Sequence, residues 1–262
     1  MKATLNARRE QNDALFYADY ENDRCLLQFH SPIELYFVTE GEMEIWVNDH
    51  YRLLGAGELA ISFSYDTHAY KTPNASRSSV LILPTSYGSA WREAVGERQI
   101  ATPFLCDRAR VAQIRACYDA LRQSEGNPLK QQGYVYLILG LVAQGLFFEA
   151  EETHSDLPLF RKILLFVGEH ATDGITAHDV AAHLGYSQSY LCRYFKAQFH
   201  MTLTDYLHAV RLKNAVRLLH EGGRNVTECA LECGFCSVRT FYRAFLREFG
   251  CAPKEYLQRT NP

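Results

Sequence analysis

Two short stretches near the C-terminus place small polar and basic side chains at helical spacing. The first offers Gln188, Ser189, Cys192, Arg193 and Lys196, and the second Arg239, Thr240, Arg243 and Arg247. An arginine fork fits O6 and N7 of guanine, and short side chains let a helix approach base edges closely. The chemistry on offer is reading of nucleotide edges in a major groove, with Lys196 and Arg247 available to phosphate. A third cluster, Cys229-x-x-x-Cys233-x-x-Cys236, has the thiol density of a zinc site. It lacks an obvious fourth ligand, which structural zinc requires. Cys229 and Cys233 fall where small apolar core residues are needed, and a free thiol packs as one.

An internal repeat sets these positions. Residues 180–206 read VAAHLGYSQSYLCRYFKAQFHMTLTDY, and residues 229–256 read CALECGFCSVRTFYRAFLREFGCAPKEY. Ala181 aligns with Ala230, Gly185 with Gly234, and Tyr186 with Phe235. Leu191, Arg193 and Phe195 then align with Phe241, Arg243 and Phe245, and Tyr206 with Tyr256. Each copy predicts a short helix ended by a left-handed glycine, an aromatic packing the turn, a capping serine (Ser187; Ser237) and a second helix. Tyr190, Leu191, Tyr194, Phe195 and Phe199 are expected to face inward in the first copy. Phe241, Ala244, Phe245 and Phe249 do so in the second. Thr176, Thr202 and Asn225 each stand three residues before an acid, a helix-start signal. The helix joining the copies, about residues 202–220, would be about 28 Å long at about 1.5 Å per residue. Successive major grooves lie roughly 34 Å apart on one face of DNA, so one chain could read two half-sites.

Upstream the texture changes twice. Residues 25–83 hold short β-prone runs (CLLQF, IELYFVT, MEIWV, YRLL, ELAIS, VLIL) separated by turn residues, the pattern of a sandwich or barrel. Met43, Ile45 and Val47 alternate with Glu44 and Trp46, a strand with one face inward. From about 107 to 152 the period becomes helical. Val111, Ile114, Cys117, Tyr118 and Leu121 form one stripe; Val135, Ile138, Leu141, Val142 and Leu146 form another after Gly126-Asn127-Pro128. The second helix carries hardly any charge between Lys130 and Glu149, so its faces need cover from the barrel or from another subunit.

Composition narrows the class. In 262 residues, 47% hydrophobic, there is ample side chain for real cores. No run of about 18 uncharged apolar residues is present, and the polar N-terminus lacks the apolar stretch of a secretory signal. Eight cysteines at irregular spacing fit free thiols in a reducing compartment. The expectation is a cytoplasmic protein with no membrane partner. A net charge of −3 conceals an asymmetry: residues 156–262 carry 13 Lys and Arg against 10 Asp and Glu, and residues 1–155 carry 14 against 20. The C-terminal part is where nucleic acid would bind. No Walker A, G-x-S-x-G or H-E-x-x-H sequence argues for an enzyme.

The pattern A-x-x-x-G-Y-S-x-S-Y-L-x-R-x-F-K, followed by R-L-x-x-A-x-x-L-L over 211–219 and by the second copy ending G-x-x-P-x-x-Y, resembles the AraC/XylS family of bacterial transcription regulators. The resemblance spans about residues 158–262. It implies base contacts from Ser189, Cys192 and Arg193 in the first copy and from Arg239, Thr240 and Arg243 in the second. Ser187, Gln188, Lys196, Ser237 and Arg247 complete the expected DNA surface. Two positions depart from the family pattern: His200 replaces a usual glycine, and Leu246 replaces a usual basic residue, removing one phosphate contact.

Residues 25–83 resemble the cupin-type sensor that such regulators carry. His30-x-x-x-Glu34 and Gly41 match most of the first cupin motif, with Gln28 at its first histidine position; Gly57 and His68 represent the second. Three ligands, His30, Glu34 and His68, could hold a metal with an open position. In regulators the same pocket serves a small ligand, which those side chains hydrogen-bond, and this is the preferred reading; no cofactor is expected. Tyr36, Trp46, Tyr65 and Tyr70 would line a pocket suited to a sugar or aromatic, or would form the barrel's own core. The expected architecture is α+β and multidomain: a cupin-like sensor barrel (1–103), a helical dimerisation segment (104–157) and an all-α double helix-turn-helix (158–262). Its partners would be double-stranded promoter DNA, a small-molecule effector, a second copy of itself and, for an activator, RNA polymerase. A metal-dependent cupin enzyme or sensor using His30, Glu34 and His68 is the rival from another class. A third reading is a regulator controlled only by protein partners, its barrel empty.

Overall fold

A computed structural model describes residues 4–6, 14–95, 100–148, 158–199 and 201–260. The chain divides into two compact units, Met1–Ser155 and Asp156–Pro262. Among the described residues no helix is long and apolar enough to cross a membrane.

The first unit contains β1 (Thr4–Leu5), β2 (Phe16–Glu21), β3 (Arg24–Phe29), β4 (Ile33–Val47), β5 (His50–Gly55), β6 (Glu58–Ser62), β7 (His68–Lys71), β8 (Ser76–Leu83) and β9 (Phe104–Leu105). Three helices accompany them: α1 (Ser86–Val95), α2 (Arg108–Arg122) and α3 (Pro128–Gly145). The runs 33–39 and 43–47, separate in the sequence pattern, are one 15-residue strand. The first half of β4 pairs with β6 and β8, the second half with β5 and β7, all antiparallel. A bulge between Val38 and Glu40 and Gly41 at φ +70° turn the strand from one sheet into the other. A Cβ on Gly41 would lie 2.0 Å from the Ala75 carbonyl oxygen, so no other residue fits this corner.

Both sheets contribute to one apolar interior, formed by Tyr36, Val38, Met43, Ile45, Val47 and Leu54 with Ala60, Val80, Ile82 and Phe104. On the other face of β4, Ile33, Leu35 and Phe37 join Leu59, Ile61, Leu81 and Leu83 to meet the helices. There they pack on Val111, Ile114, Tyr118 and Leu121 of α2 and on Val135, Ile138 and Val142 of α3. Burying strands on both faces explains their near-continuous apolar character. Each Leu or Ile so buried contributes about 1.5–3 kcal/mol relative to exposure. Residues 104–157 were set apart in the sequence as a helical segment. Their helices share this core, so α2 and α3 belong to the same compact unit as the sheet. Strand β2, upstream of the β-rich region expected from 25 onward, adds to the sheet by pairing with β8.

The second unit is helical: α4 (Leu159–His170), a 3₁₀ turn (Ala171–Asp173), α5 (Ala177–His183), α6 (Gln188–Phe199), α7 (Leu203–Glu221), α8 (Val226–Glu232), α9 (Val238–Phe249) and α10 (Pro253–Thr260). The cap signals work as written. Thr176 and Asp179 form a reciprocal capping box, as do Asn225 and Glu228, and Thr202 accepts the Asp205 N–H. Ser187 and Ser237 accept the N–H groups of Tyr190 and Thr240 at 3.3 and 3.2 Å. Gly185 and Gly234 are left-handed, at φ +76° and +81°. His200 lies outside the described residues.

Candidate nucleic-acid interface and ligand site

In each motif the second helix keeps one face inside and presents the other. Leu191 and Phe195 of α6, and Phe241, Ala244 and Phe245 of α9, are buried. The inner face of α9 joins Leu212, Ala215, Leu218 and Leu219 of α7 and Cys229, Ala230 and Cys233 in one cluster. The cysteines thus pack where the repeat demanded small apolar groups. Burial pushes the Cys229 thiol up and the Cys233 thiol up to about 11, which keeps both protonated, and Cys236 is exposed. Opposite these cores, Ser187, Gln188, Ser189, Arg193 and Lys196 are exposed and Cys192 half-buried; Ser237, Arg239, Arg243 and Arg247 are exposed and Thr240 half-buried. Among the described residues, Arg193, Lys196, Arg239 and Arg243 make no hydrogen bond or ion pair. Their charged ends are free to meet an anionic partner.

Three features depart from the sequence expectation. Arg247 is held by Asp205, Nη2 to Oδ1 at 2.7 Å, tying α9 to the start of α7. Partial burial works against ionising Asp205, yet the Thr202 hydroxyl and Arg247 hold its carboxyl below the usual range. Tyr186 does not pack its turn as Phe235 does. It is 44% exposed against 2% for Phe235 and stacks on Tyr190, at 5.3 Å between ring centroids. Tyr190, expected inward, is itself 43% exposed; the inward positions of α6 fall to Leu191 and Phe195. The repeat preserves polarity pattern while the two copies meet different neighbours.

Two contacts between the motifs had no local signal. Arg211, on α7 and only 4% exposed, donates from Nε to the Ala171 carbonyl at 2.7 Å and from Nη2 to the Ile175 carbonyl. Its guanidinium also lies 5.9 Å from the centroid of Phe235 in the second motif. Gly234 presses on the same 3₁₀ turn: a Cβ there would stand 2.6 Å from the Ala171 oxygen and 2.8 Å from that of Thr172. The 3₁₀ turn, α7 and the second motif's turn are thereby locked together. His208 of α7 stacks on Phe235 at 5.4 Å; burial, then Arg211 and Arg247, push its pKa down.

In the first unit, strand parity decides which polar groups face the interior. Glu34 and Tyr36 share their face with Val38, and Glu34 pairs across to Ser62. His68 pairs with Gln28 on one side and Val47 on the other. His30, Glu34 and His68 are all buried, and one ligand atom from each lies within 4.8 Å of the others. His30 Nε2 stands 3.1 Å and His68 Nε2 3.8 Å from Glu34 Oε2. The far nitrogens are fixed by backbone: His30 Nδ1 lies 3.1 Å from the Pro32 carbonyl and His68 Nδ1 3.0 Å from that of Asp66. Ser62 Oγ is 2.8 Å from the same His68 nitrogen, and Gln28 Nε2 is 3.3 Å from His68 Nε2. Burial pushes the His68 pKa down against the pull of Glu34. Ser62, Asp66 and Asn48, which clamps Asp66 at 2.7 Å, position His68 and carried no sequence signature. Only strand register could have named Ser62.

Tyr36 joins this interior, its hydroxyl on Ser78 (2.8 Å) and Asp23 (3.1 Å) and its ring 4.2 Å from Tyr70. Burial raises the pKa of both phenols, which stay neutral donors. Tyr65 is buried at φ +64°, its N–H on the His30 carbonyl. Trp46 is a correction. It alternates with the buried Ile45 and Val47 and stacks on Tyr51, itself 55% exposed, at 4.9 Å. A period of two puts it on the face away from His30 and Glu34.

Known proteins share both halves of this arrangement. A helix-turn-helix domain family matches residues 180–259, and an AraC-like ligand binding domain family matches residues 13–139. Regulatory protein SoxS of Escherichia coli K12 is 33% identical over 101 residues, covering 38% of this chain and 94% of SoxS. The transcriptional activator RhaS of Klebsiella pneumoniae is 26% identical over 249 residues, covering 87% of this chain and 86% of RhaS. The Msm operon regulatory protein of Streptococcus mutans is 22% identical over 236 residues, covering 85% and 82%.

Proposed function

This chain belongs to the AraC family of DNA-binding transcription regulators, and on that premise we propose that a small effector held in the barrel of the first unit controls how a dimer grips promoter DNA. Arg193 on α6 and Arg239 and Arg243 on α9 read base edges. Lys196 meets phosphate; Ser187, Gln188, Ser189, Cys192, Ser237 and Thr240 fill the close approach. Arg247, engaged by Asp205, braces α9 instead. The observation that carries this reading is the pair of like-built helices whose outward arginines have no protein partner among the described residues. Selection of bound DNA from a random pool, run at two salt concentrations because phosphate contacts dominate raw affinity, tests it. Recovery of no common sequence would sink it.

Arg243→Ala is expected to cost about 1–3 kcal/mol on the selected site and to relax preference at one base pair. Lys196→Ala should weaken all sequences alike and lower the salt slope by about one. An Arg243 variant that weakens every sequence equally would reassign that residue to the backbone.

Gln28, His30, Glu34, Tyr36, His68 and Tyr70 form the effector pocket in this proposal, with a sugar or an aromatic acid as the class to test by thermal shift. Dimerisation is assigned to α3, whose outer side exposes Leu129, Tyr136 and Leu137 while its inner side is in the core. Exposed apolar groups on a core helix mark a contact surface. Leu137→Glu is expected to turn a dimer into a monomer in sedimentation without lowering the melting temperature of the chain. Unchanged sedimentation would remove α3 from the interface.

A further inference from the structure

The outward face of α9 holds more than arginine. Arg239, Tyr242, Arg243 and Leu246 stand at i, i+3, i+4 and i+7, the spacing of one helical stripe. All four are exposed, away from the buried Phe241, Ala244 and Phe245. Tyr242 is 41% and Leu246 57% exposed, so the stripe that carries both arginines also carries two large apolar groups. One turn apart, a tyrosine and a leucine pack against each other. The Tyr242 ring also meets Phe241 edge-on, 5.8 Å between centroids, which steadies it. The register of the repeat puts the pair in the same place. Aligning Arg193 with Arg243 sets Ser189 against Arg239, Cys192 against Tyr242 and Lys196 against Leu246. Arg247 then matches Ala197, and Asp205 engages it, so the charge missing at Leu246 is not restored by its neighbour.

We infer that Tyr242 and Leu246 form an apolar contact for the C5 methyl of a thymine beside the base pair read by Arg243. The inference rests on the proposed reading of DNA by α9 and names what its half-site contains. Thymine presents a methyl group in the major groove, and apolar side chains discriminate it from the other bases. A leucine cannot pair with phosphate, and its exposed surface gains by being covered as the stripe meets DNA. The two half-sites therefore differ in kind. At the matching places α6 offers a small thiol and a lysine, a close approach and a phosphate contact, where α9 offers a surface that selects a methyl group.

The test uses the full chain and synthetic duplexes carrying the sequence it selects from a random pool. The base pair whose preference relaxes in Arg243→Ala marks the half-site of α9. Each thymine in that half-site is replaced in turn by deoxyuridine, which removes the C5 methyl and keeps the pairing groups. At one thymine next to the marked base pair, affinity should fall about 4-fold, the worth of one buried methyl group. Leu246→Ala and Tyr242→Ala should each weaken binding to the thymine duplex and reduce or abolish the loss on deoxyuridine substitution. Leu246→Lys should lose the methyl dependence while steepening the salt dependence by about one. Melting temperatures of the variants, all at exposed positions, check that each folds. A half-site without thymine beside the marked base pair, no methyl dependence there, or a dependence unchanged in both alanine variants would overturn the inference and leave base reading by Arg243 intact. Alanine variants that bind every duplex like the native chain would also overturn it, assigning the pair to a protein contact. Recovery of no common sequence would sink both readings together.

Discussion

Gly234→Ala is expected to destabilise the C-terminal unit by about 3 kcal/mol or more, whereas Gly185→Ala costs only about 1–2 kcal/mol. Both glycines occupy the same place in the repeat, and both are left-handed, at φ +81° and +76°. Left-handed backbone costs an alanine about 1–2 kcal/mol at either position. The difference is what the new methyl group meets. At Gly185 nothing lies within 4 Å. At Gly234 three backbone atoms of the 3₁₀ turn and its cap, from Ala171, Thr172 and Gly174, stand at 2.6, 2.8 and 2.9 Å, closer than real Cβ contacts allow. Backbone cannot swing aside as a side chain does, so the second motif must back away from the 3₁₀ turn, and overpacking adds about 1–3 kcal/mol. Urea unfolding of the full chain reads the stability. The functional consequence is a change in how α6 and α9 are set relative to each other. Affinity for DNA carrying both half-sites should fall towards that for a single half-site. Equal stability of the two variants would show that this contact does not set the motifs.

Arg211→Met should cost about 2–4 kcal/mol, with Arg211→Lys intermediate. The arginine is buried without a carboxylate partner among the described residues; two carbonyls and the face of Phe235 balance its charge. Methionine keeps the apolar stem but leaves both carbonyls without these donors, and a buried acceptor so stranded costs about 1–3 kcal/mol. A lysine is a single point of charge and cannot span both oxygens as the planar fork does. The measurement is again full-chain unfolding, paired with affinity for two-site DNA. A methionine variant as stable as the native chain would mean the carbonyls find other donors.

Much of the C-terminal unit was legible because its signals act within four residues. Ser187, Ser237, Thr176, Thr202 and Asn225 cap their helices by accepting from N–H groups three positions away. The stripes of α2, α3 and α9 follow the 3.6-residue period of burial. The His30 and Glu34 pairing was legible only through the resemblance to the cupin motif, because the bends at Ser31 and Pro32 between β3 and β4 break the strand period. Trp46 was misplaced because its type suggested a pocket, while its parity with Ile45 and Val47 already put it outside.

The amino-acid order alone determined the duplicated helix-turn-helix, its caps, its turn glycines and the outward arginines, each being a contest between neighbours along the backbone. Tertiary structure decided that two matching glycines differ in what they touch and that Arg247 is claimed by Asp205. It also decided that Pro32 and Asp66 aim the imidazoles of His30 and His68 at one carboxylate. Those outcomes turn on atoms such as Gly234 and Ala171, or Gln28 and His68, that lie dozens of residues apart. Only chain packing brings such groups within the few ångströms over which hydrogen bonds and steric repulsion act.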